Sequence, residues 1–173
     1  MVVVMKKVSK DYVENAKAAK KIWPGAVVFD VTLGGALEKM DPAFPIEKVL
    51  IPGIKRKKSL SIFGMWEGLK IFEKKREIDE SYFISEKKLG KSRKCKSYGK
   101  VIGIQVGENV IGIENAVNDV FVKEYEKNIK ERFGVIIDGI KKESMKRDIV
   151  LLDYDNERYP IIHAELIKRI IES

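Results

Sequence analysis

Cysteine and histidine are almost missing from this chain. Its 173 residues hold one of each, Cys95 and His163. A single cysteine excludes an internal disulfide framework and favours a reducing, cytoplasmic setting. A single histidine excludes any site needing two His ligands, so no metal centre and no cofactor are expected. No apolar run is long enough to span a membrane. The opening MVVVMKKVSKDY has a very short apolar run, then lysines, and no small-residue cleavage site, so it does not read as a signal peptide. GxGxxG and GxxxxGKS/T are absent. LGGA, residues 33–36, therefore reads as a flexible turn before it reads as a phosphate loop. No repeat, linker or low-complexity segment interrupts the chain, and residues 1–173 are expected to form one domain.

What the chain does have is charge. Lysine and arginine number 34 against 26 acids, a net charge of +8, and charged residues make up 35% of the sequence. The Lys- and Glu-rich balance resembles a thermophile's surface. The positive excess favours anionic partners such as nucleotides, nucleic acid or phosphate.

The chain is organised around SIFGMWEGLKIFE, residues 61–73. Ile62, Met65, Trp66, Leu69 and Phe72 recur at the spacing of one helix face. Phe63 and Ile71 lie off that stripe, so the predicted helix is apolar nearly all round and belongs inside the protein. Ser61 is its N-cap. Gly64 and Gly68 leave a groove for another backbone. Glu67 and Lys70 are charges on a helix with little surface to spare. They form either an i,i+3 ion pair at the helix edge or a carboxylate and ammonium facing a pocket.

In chain order, residues 2–5 predict a strand. A helix capped by Ser9 runs to about Lys21, with Tyr12, Val13, Ala16, Ala19 and Ile22 as its stripe. A turn at Trp23-Pro24-Gly25 precedes a buried strand over residues 26–32, and EKVLIPG gives a short strand. The run Lys55, Arg56, Lys57, Lys58 is either solvated or at the mouth of an anion site near the N-terminus of the next helix. Asp79 or Ser81 starts another helix, ending at Gly90. KSRKCKSYGK, residues 91–100, is the densest basic stretch. With Tyr98 inside it, it is a candidate nucleic-acid or nucleotide contact. Cys95, between Lys94 and Lys96, is expected to have a lowered thiol pKa.

VIGIQVGENVIG predicts a strand and turn, or a hairpin around residues 107–109. A long helix follows from about Glu114, buried through Val117, Val120, Phe121, Tyr125, Ile129 and Phe133. Gly134 ends or kinks it before a shorter helix at 135–142. Residues 148–155 predict a buried strand ending in acids, followed by a turn at 156–160 and a last helix at 161–171.

Two segments carry a family resemblance. MDPAFPIEKVLIPG with SLSIFGMWEGLKIF resembles an uncharacterised prokaryotic family whose pattern runs roughly FSPFYP, a short strand, then SVEGIWQGLKVF. LLDYDNERYPIIHAELIKRII resembles that family's LLDYETN…PLSHAxLVK, and DVT after the second strand also fits. More distantly, the first pair is similar to the NADAR (YbiA-like) superfamily, with LSNFYP and then SxEHYFQAxKF. Ser61, Trp66, Glu67, Leu69, Lys70 and Phe72 fall in its matching helix, while Phe63 stands at its acidic position. That resemblance implies an N-glycosidase-like hydrolase acting on a nucleotide or ADP-ribose-type anionic ligand.

In that reading Glu67 is the base or electrostatic stabiliser, one turn beyond the departed acid. Asp153 or Asp155 supplies a second acid. His163 is a pocket acid–base group, or else a capping or core histidine. Trp66 stacks or packs, while Lys70, Lys55 and Arg56 bind phosphate. The alternatives are a non-catalytic nucleotide- or nucleic-acid-binding module on the basic surface, and a structural protein whose pocket has decayed. The expected fold is YbiA-like α+β, predominantly helical. A small mixed sheet near Val2, Val27, Val49, Val101 and Val150 packs against five or six helices, with the 61–73 helix innermost.

Overall fold

The computed structural model describes residues 1–88, 91–154 and 159–173. Helix outweighs strand, about 43% to 18%, and the class is α+β as expected. Among the described residues the strands form three small sheets rather than one, divided between two compact units: Met1–Asp41 with Glu126–Ser173, and Pro42–Tyr125.

The first unit is built on three parallel strands in the order β1 (Val2–Lys6), β8 (Ile149–Asp153), β2 (Val27–Asp30). β8 reads IVLLD and is buried along its whole length, the pattern of a central parallel strand covered on both faces. Val28, Val150 and Leu152 pack with Ala19 of α1 (Tyr12–Ile22), and Val3, Met5 and Trp23 border them. α5 (His163–Glu172) packs against β1 and β8 through an apolar face that includes Leu166, Ile167, Ile170 and Ile171.

α1 departs from its predicted stripe. Val13 and Ile22 are exposed, and the helix is anchored through Ala19 and buried Asn15. The Asn15 amide takes the Val8 and Ser9 N–H groups and donates to the Ser9 and Asp11 carbonyls. The cap is Asp11, whose Oδ1 accepts from Val13 N and Glu14 N. Ser9 instead holds Asp11 N.

In the second unit, α2 (Ile62–Gly68) is buried at every residue. β3 (Val49–Leu50) pairs with β4 (Lys58–Ser59) ahead of it. β5 (Lys70–Phe72), β6 (Val101–Val106) and β7 (Asn109–Ile111) form an antiparallel sheet after it. The helix stops five residues short of its predicted end. Leu69 N still bonds Met65 O, but Leu69 O is taken by Gln105 N of β6, so the helical ladder cannot continue. Lys70, Ile71 and Phe72 pair along β6 instead.

The glycine groove is filled as expected. A Cβ on Gly64 would lie 2.6 Å from Tyr82 O, and one on Gly68 2.3 Å from Phe83 Cε1. The helix predicted from residue 79 is two short 3-10 turns, Glu80–Tyr82 and Glu86–Lys88; its stop at Gly90 lies outside the described residues. The turn at Gly107 does close a hairpin, β6 to β7. It meets the β3–β4 loop so closely that a Cβ on Gly53 would come 2.2 Å from Gly107 N.

α3 (Ile113–Ala116) runs through a π-helical segment, Val117–Val122, into α4 (Lys123–Ser144), which carries the chain back to the first unit. Val120, Phe121, Tyr125 and Ile129 are buried, as their spacing predicts. The break expected at Gly134 is a kink one residue earlier, at Phe133.

Candidate functional site

Ser61 caps α2 by accepting from Gly64 N at 2.9 Å, and Pro42 O accepts from Phe63 N. Those two amides of the first turn are satisfied internally. Lys55 and Arg56 are exposed on the preceding loop, and neighbouring Lys57 pairs with Glu80.

Glu67, at the last turn of α2, is 1% exposed. A carboxylate in that position needs several donors, and it has three. Lys70 Nζ reaches Oε1 at 2.6 Å, while Ser92 Oγ at 3.2 Å and Arg93 N at 2.5 Å reach Oε2. Lys70 Nζ also donates to Ser92 Oγ at 3.2 Å. The pair is thus buried at the carboxylate end, while Lys70, with its side chain 12% exposed, looks outward.

Arg93, in the basic run, turns inward. Its guanidinium donates to the carbonyls of Gly68, Lys70 and Glu77, at 3.3, 2.8 and 3.0 Å. It lies 5.1 Å from the centre of the Phe72 ring and 5.9 Å from that of Tyr98. One arginine therefore ties the end of α2, the start of β5 and the 92–98 loop together.

Outside that clamp is a pocket of about 530 Å³, lined by Lys70, Phe72, Ser92, Arg93, Lys94, Cys95, Lys96, Gly99 and Val101. Four of the nine are cations, and none of these described residues is acidic. The Cys95 thiol is exposed and its pKa is lowered, chiefly by the Ser97 hydroxyl 3.0 Å away rather than by the flanking lysines. Trp66 does not reach solvent; it packs edge-on against Phe121 at 5.6 Å.

A second polar cluster sits in the first unit, where the carboxyl ends of the parallel strands meet. Asp153 ends β8. Its Oδ1 lies 3.1 Å from His163 Nδ1, and its Oδ2 caps α5 by accepting from Ala164 N at 3.0 Å. His163 Nε2 lies 3.0 Å from Val31 O. Burial alone would lower the His163 pKa, but the hydrogen bond and charge of Asp153 outweigh it and raise the value. Burial pushes Asp153 up, and His163 with the Ala164 and Tyr154 amides brings it below its ordinary range. Both shifts favour the charged forms of this buried pair.

Beside it, Lys7 Nζ bonds Asp30 Oδ2 at 2.7 Å and Thr32 Oγ1 at 3.1 Å. Asp41 accepts from the hydroxyls of Tyr154 and Tyr159. Asp155 lies outside the described residues.

The residues singled out in the sequence thus fall into two groups. Glu67 and Lys70 meet in the second unit, and Asp153 and His163 meet in the first. Ser92, Arg93, Lys94 and Lys96 lie in the run read as a nucleic-acid or nucleotide contact, but none of them was singled out as a site residue. Lys7, Asp30, Thr32, Asp41, Tyr154 and Tyr159 escaped too. Asp30 offered the same signal as Glu67, a charge inside an apolar segment.

Fold and site together define an α+β protein with a basic pocket built around a buried Glu–Lys pair. The chain belongs to the family of unknown function DUF6939, which matches residues 11–167. Neither the curated proteins nor the solved structures yield a match. Among the described residues no helix is long and apolar enough to cross a membrane.

Proposed function

We propose that the pocket beside α2 binds a small phosphate-bearing ligand, of nucleotide or ADP-ribose type, with Glu67 acting as a positioning residue. The observation that carries this is the lining: Lys70, Lys94 and Lys96 border a space with no acidic side chain among its described lining residues, while Arg93 is buried in its wall. Such a concentration of one charge sign in a concave site favours anions. Glu67 fixes the Lys70 ammonium from behind, so little side-chain freedom is left to lose on binding.

A small ligand is favoured over nucleic acid because Tyr98 is not free to stack. It packs edge-on against Phe72 at 5.4 Å and carries Lys75 over its ring at 5.2 Å. Within residues 91–100 the exposed cations are Lys91, Lys94, Lys96 and Lys100, with no base platform among them.

N-glycosidase chemistry asks more of the same site. Glu67 would have to stabilise an oxocarbenium-like sugar or orient water, yet both its oxygens already hold donors. Phe63, at the position where the NADAR pattern has its acid, is buried. Asp153 and His163 take a structural role here, tying α5 to the sheet.

Calorimetric titration with ADP-ribose, at fixed ionic strength, tests the binding proposal. The double variant Lys94→Ala/Lys96→Ala, exposed at both positions, should lose about tenfold in affinity, roughly 1.4 kcal/mol. Absence of binding to the wild type would end the proposal. Release of free base from the bound ligand, lost in Glu67→Gln, would promote the hydrolytic reading over simple binding.

A further inference from the structure

Resting on that reading, we infer that the pocket recognises closely spaced phosphate groups and takes no part in reading a nucleobase. Two independent features of the lining lead there.

The first is the state of the aromatic rings. Stacking needs an open π face. Phe72, the aromatic residue in the lining, is buried, with the Arg93 guanidinium on it at 5.1 Å and Tyr98 edge-on at 5.4 Å. Tyr98 in turn carries Lys75 at 5.2 Å and Arg93 at 5.9 Å. Trp66 is sealed against Phe121. Phe72, Tyr98 and Trp66 are thus already used to hold cations or other rings.

The second is the donor–acceptor balance. A base edge presents both donors and acceptors, and reading it needs both in return. Lysine and arginine only donate. Ser92 Oγ, the oxygen-bearing side chain of the lining, already accepts from Lys70 and donates to Glu67. Lys70 has three N–H donors, two of which go to Glu67 and Ser92. The third is left for the pocket, beside the exposed ammonium groups of Lys94 and Lys96. A lining whose side chains are mainly donors, with its one hydroxyl already bonded on both its donor and acceptor sides, matches phosphate oxygens, which only accept. Because the cations come from two places, β5 and the 92–96 loop, they match two adjacent phosphates better than one.

The ligand class is therefore a diphosphate, inorganic or carried on an organic group that projects outward. Titration of the whole protein with inorganic pyrophosphate, ADP, GDP, UDP and adenosine tests this. Pyrophosphate and the three nucleotides should bind within about threefold of one another, and adenosine should not bind at millimolar concentration. Lys94→Ala/Lys96→Ala should weaken all four anions in parallel without changing the circular dichroism spectrum. More than a tenfold spread set by the base, or competition by adenosine, overturns the inference and leaves the anion site standing. No binding of any anion overturns both.

Discussion

Replacing Lys70 by methionine isolates what the Glu67–Lys70 pair contributes. The substitution keeps the length of the stem and removes the ammonium, the one charged donor among the three that hold Glu67; Ser92 Oγ and Arg93 N are neutral. Breaking a buried pair from one side costs about 3–5 kcal/mol, because the remaining charge stays uncompensated. The two surviving donors and the partial exposure of Lys70 put the expectation near the lower end, about 3 kcal/mol. With a urea slope of about 2 kcal/mol per molar, the midpoint should fall by roughly 1.5 M. Glu67→Gln should cost about 1–3 kcal/mol, since its NH₂ must face either the Lys70 ammonium or the Arg93 amide. The double variant removes charge and countercharge together. It should lose less than the sum of the singles, by about 1–3 kcal/mol. Unfolding can be followed by the fluorescence of Trp23 and Trp66, the chain's two tryptophans. If Lys70→Met unfolds within 1 kcal/mol of wild type and the two changes simply add, the pair is not the organising element argued for here.

The His163–Asp153 pair predicts a pH signature. The raised His163 contributes stability that is complete below 6.5 and is lost as pH climbs through its folded value. The lowered Asp153 contributes stability that is complete above 3.8 and is lost as pH falls through its own. The gap in melting temperature between wild type and His163→Gln should therefore be widest between 3.8 and 6.5 and narrow at alkaline pH; a gap constant across that range contradicts the assignment. Gly68→Ala should destabilise by about 1–3 kcal/mol through its clash with Phe83, whereas Gly139→Ala in α4, where a Cβ meets nothing within 4 Å, should stabilise by up to about 1 kcal/mol. Chemical denaturation of both variants decides whether the glycine groove is filled as described. Asp11→Ala removes the acceptor for Val13 N and Glu14 N and should cost about 1 kcal/mol in the same assay, with Ser9→Ala costing less.

The sequence carried the elements whose pattern reflects a single environment. IVLLD, short and partly β-branched, reads as a strand covered on both faces, and the spacing of Val120, Phe121, Tyr125 and Ile129 reads as a helix face. It misled where two patterns share residues. Leu69 and Phe72 lie on the stripe of the helix, yet Ile71 and Phe72 also suit a strand, and the choice was made by Gln105, more than thirty residues away. Val13 and Ile22 fit a helical stripe and are nonetheless exposed, because the polar Asn15 holds α1 in place. The Glu67–Lys70 contact was legible because a charge in an apolar segment demands a partner. Ser92 and Arg93 were not, since nothing local distinguishes an arginine that folds back onto three carbonyls from one that faces water.

That last distinction governs how function should be assigned in this protein. Its most conspicuous charges, Glu67 in one unit and Asp153 with His163 in the other, are deeply buried and bonded to neighbouring groups. Burial that complete suits holding: Glu67 fixes an ammonium and a loop, and Asp153 caps a helix and keeps the His163 ring in place. Groups that act on a ligand need a free donor or acceptor facing open space. By that criterion the residues to watch are the largely covered Lys70, whose ammonium borders the pocket, and the plain surface lysines, Lys94 and Lys96, that share it. A mutational survey that targets only the buried acids would then report loss of folding and read it as loss of activity. Pairing each buried change with Lys94→Ala/Lys96→Ala separates the two: the surface pair should lower ligand affinity at unchanged melting temperature, and the buried acids should lower both.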